Sequence, residues 1–225
     1  YNHREVQEIV RKNGGKLSGD SEAEALAELY KIKGDQFVNE LRGMFAIAIW
    51  DSRDNSLILV RDRIGEKPLL YCETTAGNLV FASEMRAIFA FGVKSNVDES
   101  QIGNFLRLGY LNSPETIISG VKTLPPAHLL KFKDGKANII RYWQLPEFKE
   151  RQIDKAAAMK LVSDALENAV VSQTSSERPL GTYLSGGIDS TLVTAFAVRN
   201  SNTKINTFSI GFEDQAYDES NHARN

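Results

Sequence analysis

A chain of 225 residues has room for one large domain or two small ones, and a hydrophobic share of 42% is ordinary for a globular protein that buries a real core. The formal net charge of −2, with no basic block, argues against nucleic acid or an anionic membrane as the main partner, and no apolar run approaches membrane-spanning length. The lone cysteine, Cys72, excludes an internal disulfide and no signal peptide is visible, so a cytoplasmic location is expected.

Residues 4–13 are patterned as a helix that stops at Gly14-Gly15. A second helix is expected from Ser21 to Ile32, where Ser21 and Glu24 have capping-box spacing ahead of Ala25, Leu26 and Leu29. Apolar runs at 44–50 and 56–60, parted by a polar turn at 51–55, predict a buried hairpin. Strands at 69–73 and 79–82 flank Ala76-Gly77-Asn78, and a short helix follows over 84–91. Strands gathered between helices predict an α+β sandwich of two antiparallel sheets with helices outside. After Asp98 comes a helix, then segments 129–132 and 139–143 around Asp134-Gly135-Lys136, which read as an edge hairpin. Residues 146–152 are charged and read as a linker.

Asp154 then caps a long amphipathic helix through Val171, with Met159, Val162, Ala165, Leu166 and Ala169 among its apolar positions. A buried strand at 179–184, a helix at 191–199 and a second buried strand at 205–210 predict the start of a parallel α/β sheet. The chain starts at Tyr1, not methionine, and reaches Asn225 in what should be the next helix. Truncation at both ends is therefore expected.

Between the first strand and helix of that sheet stands Leu184-Ser185-Gly186-Gly187-Ile188-Asp189-Ser190-Thr191. Gly186 and Gly187 are expected to adopt torsions that a side chain would forbid and to let amide groups converge on an anion, with hydroxyls from Ser185, Ser190 and Thr191. Asp189 would repel a phosphate unless a divalent cation lay between them, so a Mg2+ requirement follows. The Walker A lysine is absent. The pattern Ser-Gly-Gly-x-Asp-Ser resembles the pyrophosphate loop of the ATP pyrophosphatase family, whose members activate a carboxyl or carbonyl oxygen by adenylation. That resemblance implies cleavage of ATP to AMP.

Upstream, Leu41-Arg42-Gly43-Met44-Phe45-Ala46, the run Arg61 to Leu69 and Phe81-Ala82-Ser83-Glu84-Met85 are similar to segments of class II glutamine amidotransferases. Together with the phosphate loop, Tyr142-Trp143 and Phe212-Glu213-Asp214, their order resembles the glutamine-hydrolysing asparagine synthetase family. The resemblance implies a glutaminase-type domain over 1–148, with 97–146 as its distal helix and hairpin. Residues 149–225 would begin an asparagine synthase, ATP pyrophosphatase-type domain. It further implies small-molecule substrates, namely aspartate, glutamine and ATP, with no nucleic acid and no membrane as partner. A homodimer stays open.

Carried over by position, Leu184 and Ile210 match residues whose backbone contacts the adenine nucleotide. Ser185, Gly186, Gly187, Asp189 and Ser190 match the pyrophosphate loop, with Asp189 on the magnesium side. Glu22 falls where the family has an aspartate for the glutamine amino group, and Asp20 is a fallback ligand; helix capping is the structural role open to Ser21 and Glu24. The family's glutaminase nucleophile, an N-terminal cysteine, does not lie in the sequence, so no catalytic residue of that site is assigned and the chain as given is expected to be inactive. Cys72 is read as a structural thiol, and Arg61, Asp62, Glu66 and Lys67 as an ion-pair loop. Met44 matches an ammonia-tunnel position or is a core methionine. Asp218-Glu219 resembles the family's acidic helix start, which electrostatics alone would also favour. His3, His128 and His222 are given no role. Two other readings stay open: an adenylating amide or lactam synthetase acting on another carboxylate without glutaminase activity, and an inactive nucleotide-binding or folding module.

Overall fold

The computed structural model describes residues 1–174, 179–214 and 218–224. The chain divides into two compact units, Tyr1–Glu147 and Phe148–Asn225.

In the first unit, helices α1 (His3–Lys12) and α2 (Glu22–Lys33) precede a 3-10 segment, Gly34–Glu40. The hairpin β1 (Ala46–Asp51) and β2 (Ser56–Arg61) is extended by β6 (His128–Lys133) and β7 (Lys136–Arg141) into one antiparallel sheet of order β1-β2-β6-β7. A second antiparallel sheet, order β4-β3-β5, contains β3 (Leu70–Glu73), β4 (Leu79–Ala82) and β5 (Lys122–Thr123). Helices α3 (Met85–Ala90) and α4 (Glu99–Leu108) lie between β4 and β5 in the chain.

Strand β2 explains the layering, because its side chains alternate between two cores. Ile58 and Val60 join Val6, Val10, Leu29 and Phe37 from the helical side. Leu59, between them, joins Leu69, Tyr71, Leu124 and Leu130 from the second sheet. A third core places Cys72, Val80 and Ile118 against Ile88 of α3. The unit is thus an α+β sandwich with helices outside two antiparallel sheets. The hairpin read as an edge feature is only half so. Strand β6 pairs with both β2 and β7, which puts it inside the sheet and leaves β7 at the edge.

Residues 142–154 carry no helix or strand. The second unit opens with α5 (Lys155–Gln173), whose first turn is capped by Asp154 accepting the Ala157 amide at 3.0 Å. Strands β8 (Gly181–Tyr183) and β9 (Asn206–Phe208) pair in parallel across the connecting helix α6 (Ile188–Arg199). Helix α7 (Ser220–Arg224) ends the described chain, and Asn225 lies outside the described residues. Val170, Phe196 and Ala197 form a small core, helped by the Thr194 hydroxyl donating to Thr182 at 3.0 Å and by Asn200 donating to Glu167 at 2.9 Å. The two strands are parallel as their spacing implies, yet neither is buried: Tyr183 is 79% and Phe208 57% exposed. A two-stranded sheet with one helix layer leaves much of its apolar surface in water.

Candidate functional site

The start of the first unit is stitched to the turn before β1. The Asn2 amide N–H donates to the Arg42 carbonyl at 3.0 Å, and the Arg42 amide returns a bond to Asn2 Oδ1 at 2.8 Å. Gly43 has φ +110°, and a Cβ there would sit 2.9 Å from Tyr1 Cα, so only glycine lets the two segments approach. Tyr1 donates its hydroxyl to the Glu22 carbonyl at 3.0 Å, and the Glu22 carboxylate lies 3.8 Å from His3 Nδ1. Burial, then the Glu22 charge, push the Tyr1 phenol up to about 12. Glu22 therefore stands beside Tyr1 and His3, whereas Asp20 is exposed on the preceding bend.

The capping box is only half formed. Ser21 accepts the Glu24 amide at 3.4 Å, but the Glu24 carboxylate takes the amide and hydroxyl of Ser18, both at 2.8 Å. Those bonds hold its carboxyl below the usual range. Met44 is 42% exposed and is not a core methionine. Cys72 is buried, and burial raises its thiol pKa.

Among the described residues no ion pair holds the Arg61–Lys67 loop. Asp62, buried, accepts five backbone amides: Phe45 at 3.3 Å, Ile64 at 3.2 Å, Gly65 at 2.7 Å, Glu66 at 3.0 Å and Lys67 at 3.0 Å. Burial works to raise this carboxyl, and the amides outweigh it, so the net shift is downward. Arg61 likewise donates to carbonyls, those of Gly65 at 2.6 Å, Leu124 at 2.8 Å and Lys67 at 2.9 Å. Its own carbonyl accepts the Tyr142 hydroxyl at 2.7 Å. Charges adjacent in sequence suggested pairing with each other; the peptide groups of the loop and its neighbours engage Arg61 and Asp62 instead, while Glu66 and Lys67 are exposed.

In the second unit, the segment Ser185–Ser190 turns from β8 into α6. The Ser185 amide donates to Ser190 Oγ at 3.2 Å, the two hydroxyls lie 3.0 Å apart, and the Gly187 amide donates to Ser185 Oγ at 3.3 Å. Gly186 has φ +85°, and a Cβ on it would lie 2.5 Å from His222 Cβ and 2.8 Å from the Ala223 nitrogen. Gly187 differs from the expectation, because its φ of −70° is open to any residue. A Cβ there would meet only Ser185 Oγ, at 3.3 Å. Asp189 is exposed in the first turn of α6. Among the described residues no group of three or more His, Cys, Asp or Glu side chains is arranged to hold a metal ion.

Beside the turn is a cleft of about 260 Å3. It brings Leu184, Ser185 and Ile210 together, with Tyr183, Phe208 and Phe212 as aromatic walls and Ser209, Glu219 and Ser220 completing the lining. The Leu184 amide donates to the Phe208 carbonyl at 2.9 Å, and the Leu184 carbonyl accepts the Ser209 hydroxyl at 2.6 Å. The cleft lies at the carboxyl ends of two parallel strands, where open α/β sheets bind ligands. That rule is the signal that could have pointed to Tyr183, Phe208 and Phe212 from sequence.

Residues 1–143 match the family model described as the glutamine amidotransferase domain. The chain belongs to that family. Residues 161–225 match the asparagine synthase model, so the two matches stand in the order of the asparagine synthetase family. Asparagine synthetase [glutamine-hydrolyzing] 3 of Bacillus subtilis is 34% identical over 221 residues, covering 95% of this chain and 36% of the relative. Asparagine synthetase [glutamine-hydrolyzing] 1 of the same organism is 31% identical over 220 residues, covering 97% and 34%. The chain thus spans about a third of the length of these curated relatives. A solved structure of glutamine phosphoribosylpyrophosphate amidotransferase from B. subtilis, complexed with ADP and GMP, matches at TM-score 0.46 and 18% identity, covering 95% of this chain and 44% of that one. No helix among the described residues is long and apolar enough to cross a membrane.

Proposed function

We propose that this chain is part of a glutamine-dependent asparagine synthetase, a ligase that makes asparagine and glutamate from aspartate, glutamine and ATP, with release of AMP and pyrophosphate. Residues 1–148 are the amidotransferase domain, with 97–146 its distal helix and hairpin, and residues 149–225 begin the synthetase domain. A carboxylate accepts ammonia only after it gains a leaving group, which adenylation supplies.

The observation that carries this reading is the meeting of Leu184, Ser185 and Ile210 at one cleft next to Gly186–Ser190, in a chain that belongs to the amidotransferase family. In this assignment the backbone of Leu184 and Ile210 holds the adenine. The hydroxyls of Ser185 and Ser190 and the amides at Gly186 and Gly187 receive the pyrophosphate. Asp189 is the single protein carboxylate on the loop. Beside a phosphate that carboxylate calls for a Mg2+ ion between the two, which would neutralise their charge. Glu22 takes the glutamine ammonium, with Asp20 as fallback, and the Tyr1 bond to its backbone keeps it at the Gly43 turn.

Calorimetric titration of the chain with ATP, with and without Mg2+, tests the nucleotide half. Heat that depends on magnesium and is lost in Asp189→Ala supports the assignment, and no heat under either condition sinks it. For the longer protein, the decisive assay is aspartate-dependent pyrophosphate release from ATP.

A further inference from the structure

Glu219 stands out among the residues around the cleft. It is the one charged side chain lining it among the described residues. The neighbouring carboxylate is already engaged locally: Asp218 accepts the Ser220 amide through Oδ1 and the Ser220 hydroxyl through Oδ2, both at 3.0 Å, and its carboxyl is lowered by those bonds. The Glu219 carbonyl accepts the amides of His222 and Ala223, while no described donor engages its carboxylate. Three residues on, His222 packs on Gly186 of the phosphate loop. Glu219 therefore belongs to a segment that touches the phosphate loop at one end and the aromatic-walled cleft at the other.

We propose that Glu219 reads the ribose of the bound nucleotide, an inference that rests on the nucleotide assignment above. A carboxylate is an acceptor only, and it repels phosphate. The ring edges of adenine offer mostly acceptors. The vicinal 2′- and 3′-hydroxyls are two adjacent donors matched to two carboxylate oxygens, and the ribose is the part of ATP that lies between base and phosphates. Glu219 is thus a specificity residue for ribonucleotides over deoxyribonucleotides.

The test is calorimetric titration of the chain with ATP and with 2′-deoxy-ATP, each with Mg2+. The unsubstituted chain is expected to prefer ATP by roughly tenfold or more, the worth of one hydrogen bond to a charged group. In Glu219→Ala the two nucleotides should bind alike, ATP having lost the bonds of both hydroxyls and 2′-deoxy-ATP only that of its 3′-hydroxyl. Because Glu219 is exposed, the variant should keep its far-ultraviolet circular dichroism, and the comparison in the unsubstituted chain does not depend on any variant folding. Equal binding of both nucleotides to the unsubstituted chain overturns the ribose assignment alone, as does preference for ATP persisting in Glu219→Ala. Absence of binding by either nucleotide overturns the nucleotide site itself, and the ribose assignment with it.

Discussion

Asp62 makes more contacts to peptide groups than any other side chain described above. Its five amide partners bond the ionised form, so its carboxyl titrates below the ordinary value of about 3.9. A depressed native pKa stabilises the fold fully above the unfolded value, and the contribution disappears as pH falls from about 4 through the native value. The urea midpoint of the first unit should therefore fall between pH 5 and pH 3, and Asp62→Asn should flatten that fall while costing on the order of 2–3 kcal/mol at pH 7. An equally steep fall in the variant would assign the acid sensitivity elsewhere. The two loop glycines make a second contrast. Gly186→Ala forces a side chain into α7 at positive φ and should unseat the loop, with loss of ATP heat and of local structure. Gly187→Ala, at the N-cap of α6, should keep the circular dichroism and cost only about 0.5–1.5 kcal/mol of stability. If it nonetheless weakens ATP, Gly187 is small for the ligand's sake; if ATP binding survives, the bare backbone there has no role in binding.

At the level of elements, β2 is the central one of the first unit, and its importance was only partly legible. The run at 56–60 announced a strand buried on both faces, because no residue from Leu57 to Val60 is polar. Which neighbours it would find was not legible, since pairing with β6 joins residues about seventy apart and hydrophobic runs carry no address. Leu59, wholly buried between the two sheets, should cost about 2–5 kcal/mol as Leu59→Ala, because neither sheet can close on the gap. Chemical denaturation would show this as a lower midpoint with unchanged slope. In the second unit the apolar runs at 179–184 and 205–210 gave the right pairing and the wrong burial. A strand's composition reports the burial its sheet can provide, and two strands provide little. The Ser18 bonds to Glu24 were invisible for another reason: the capping-box rule considers only partners inside its four-residue window.

For the whole molecule, the two units differ sharply in how much they bury. Three interior clusters hold the first, whereas among the described residues of the second the one cluster is Val170, Phe196 and Ala197 with Leu166 against it. Limited proteolysis at neutral pH should cut within 148–154, where no hydrogen-bonded element protects the backbone and Phe148 projects into solvent, and should then degrade the second unit first. A stable product close to Tyr1–Glu147 is the expected band; survival of the second unit instead would reverse the order of stabilities. The buried Cys72 adds an unplanned instrument to the first unit. It is the sole sulfhydryl in the sequence and is walled in by Val80, Ile88, Ile118 and Val121. At 3% exposure, on the floor of a cleft beside Phe91–Lys94, it offers little to a bulky thiol reagent such as dithionitrobenzoate until that unit breathes, so the colour released per minute is a clock for its opening events, wound by the protein itself and needing no engineered label.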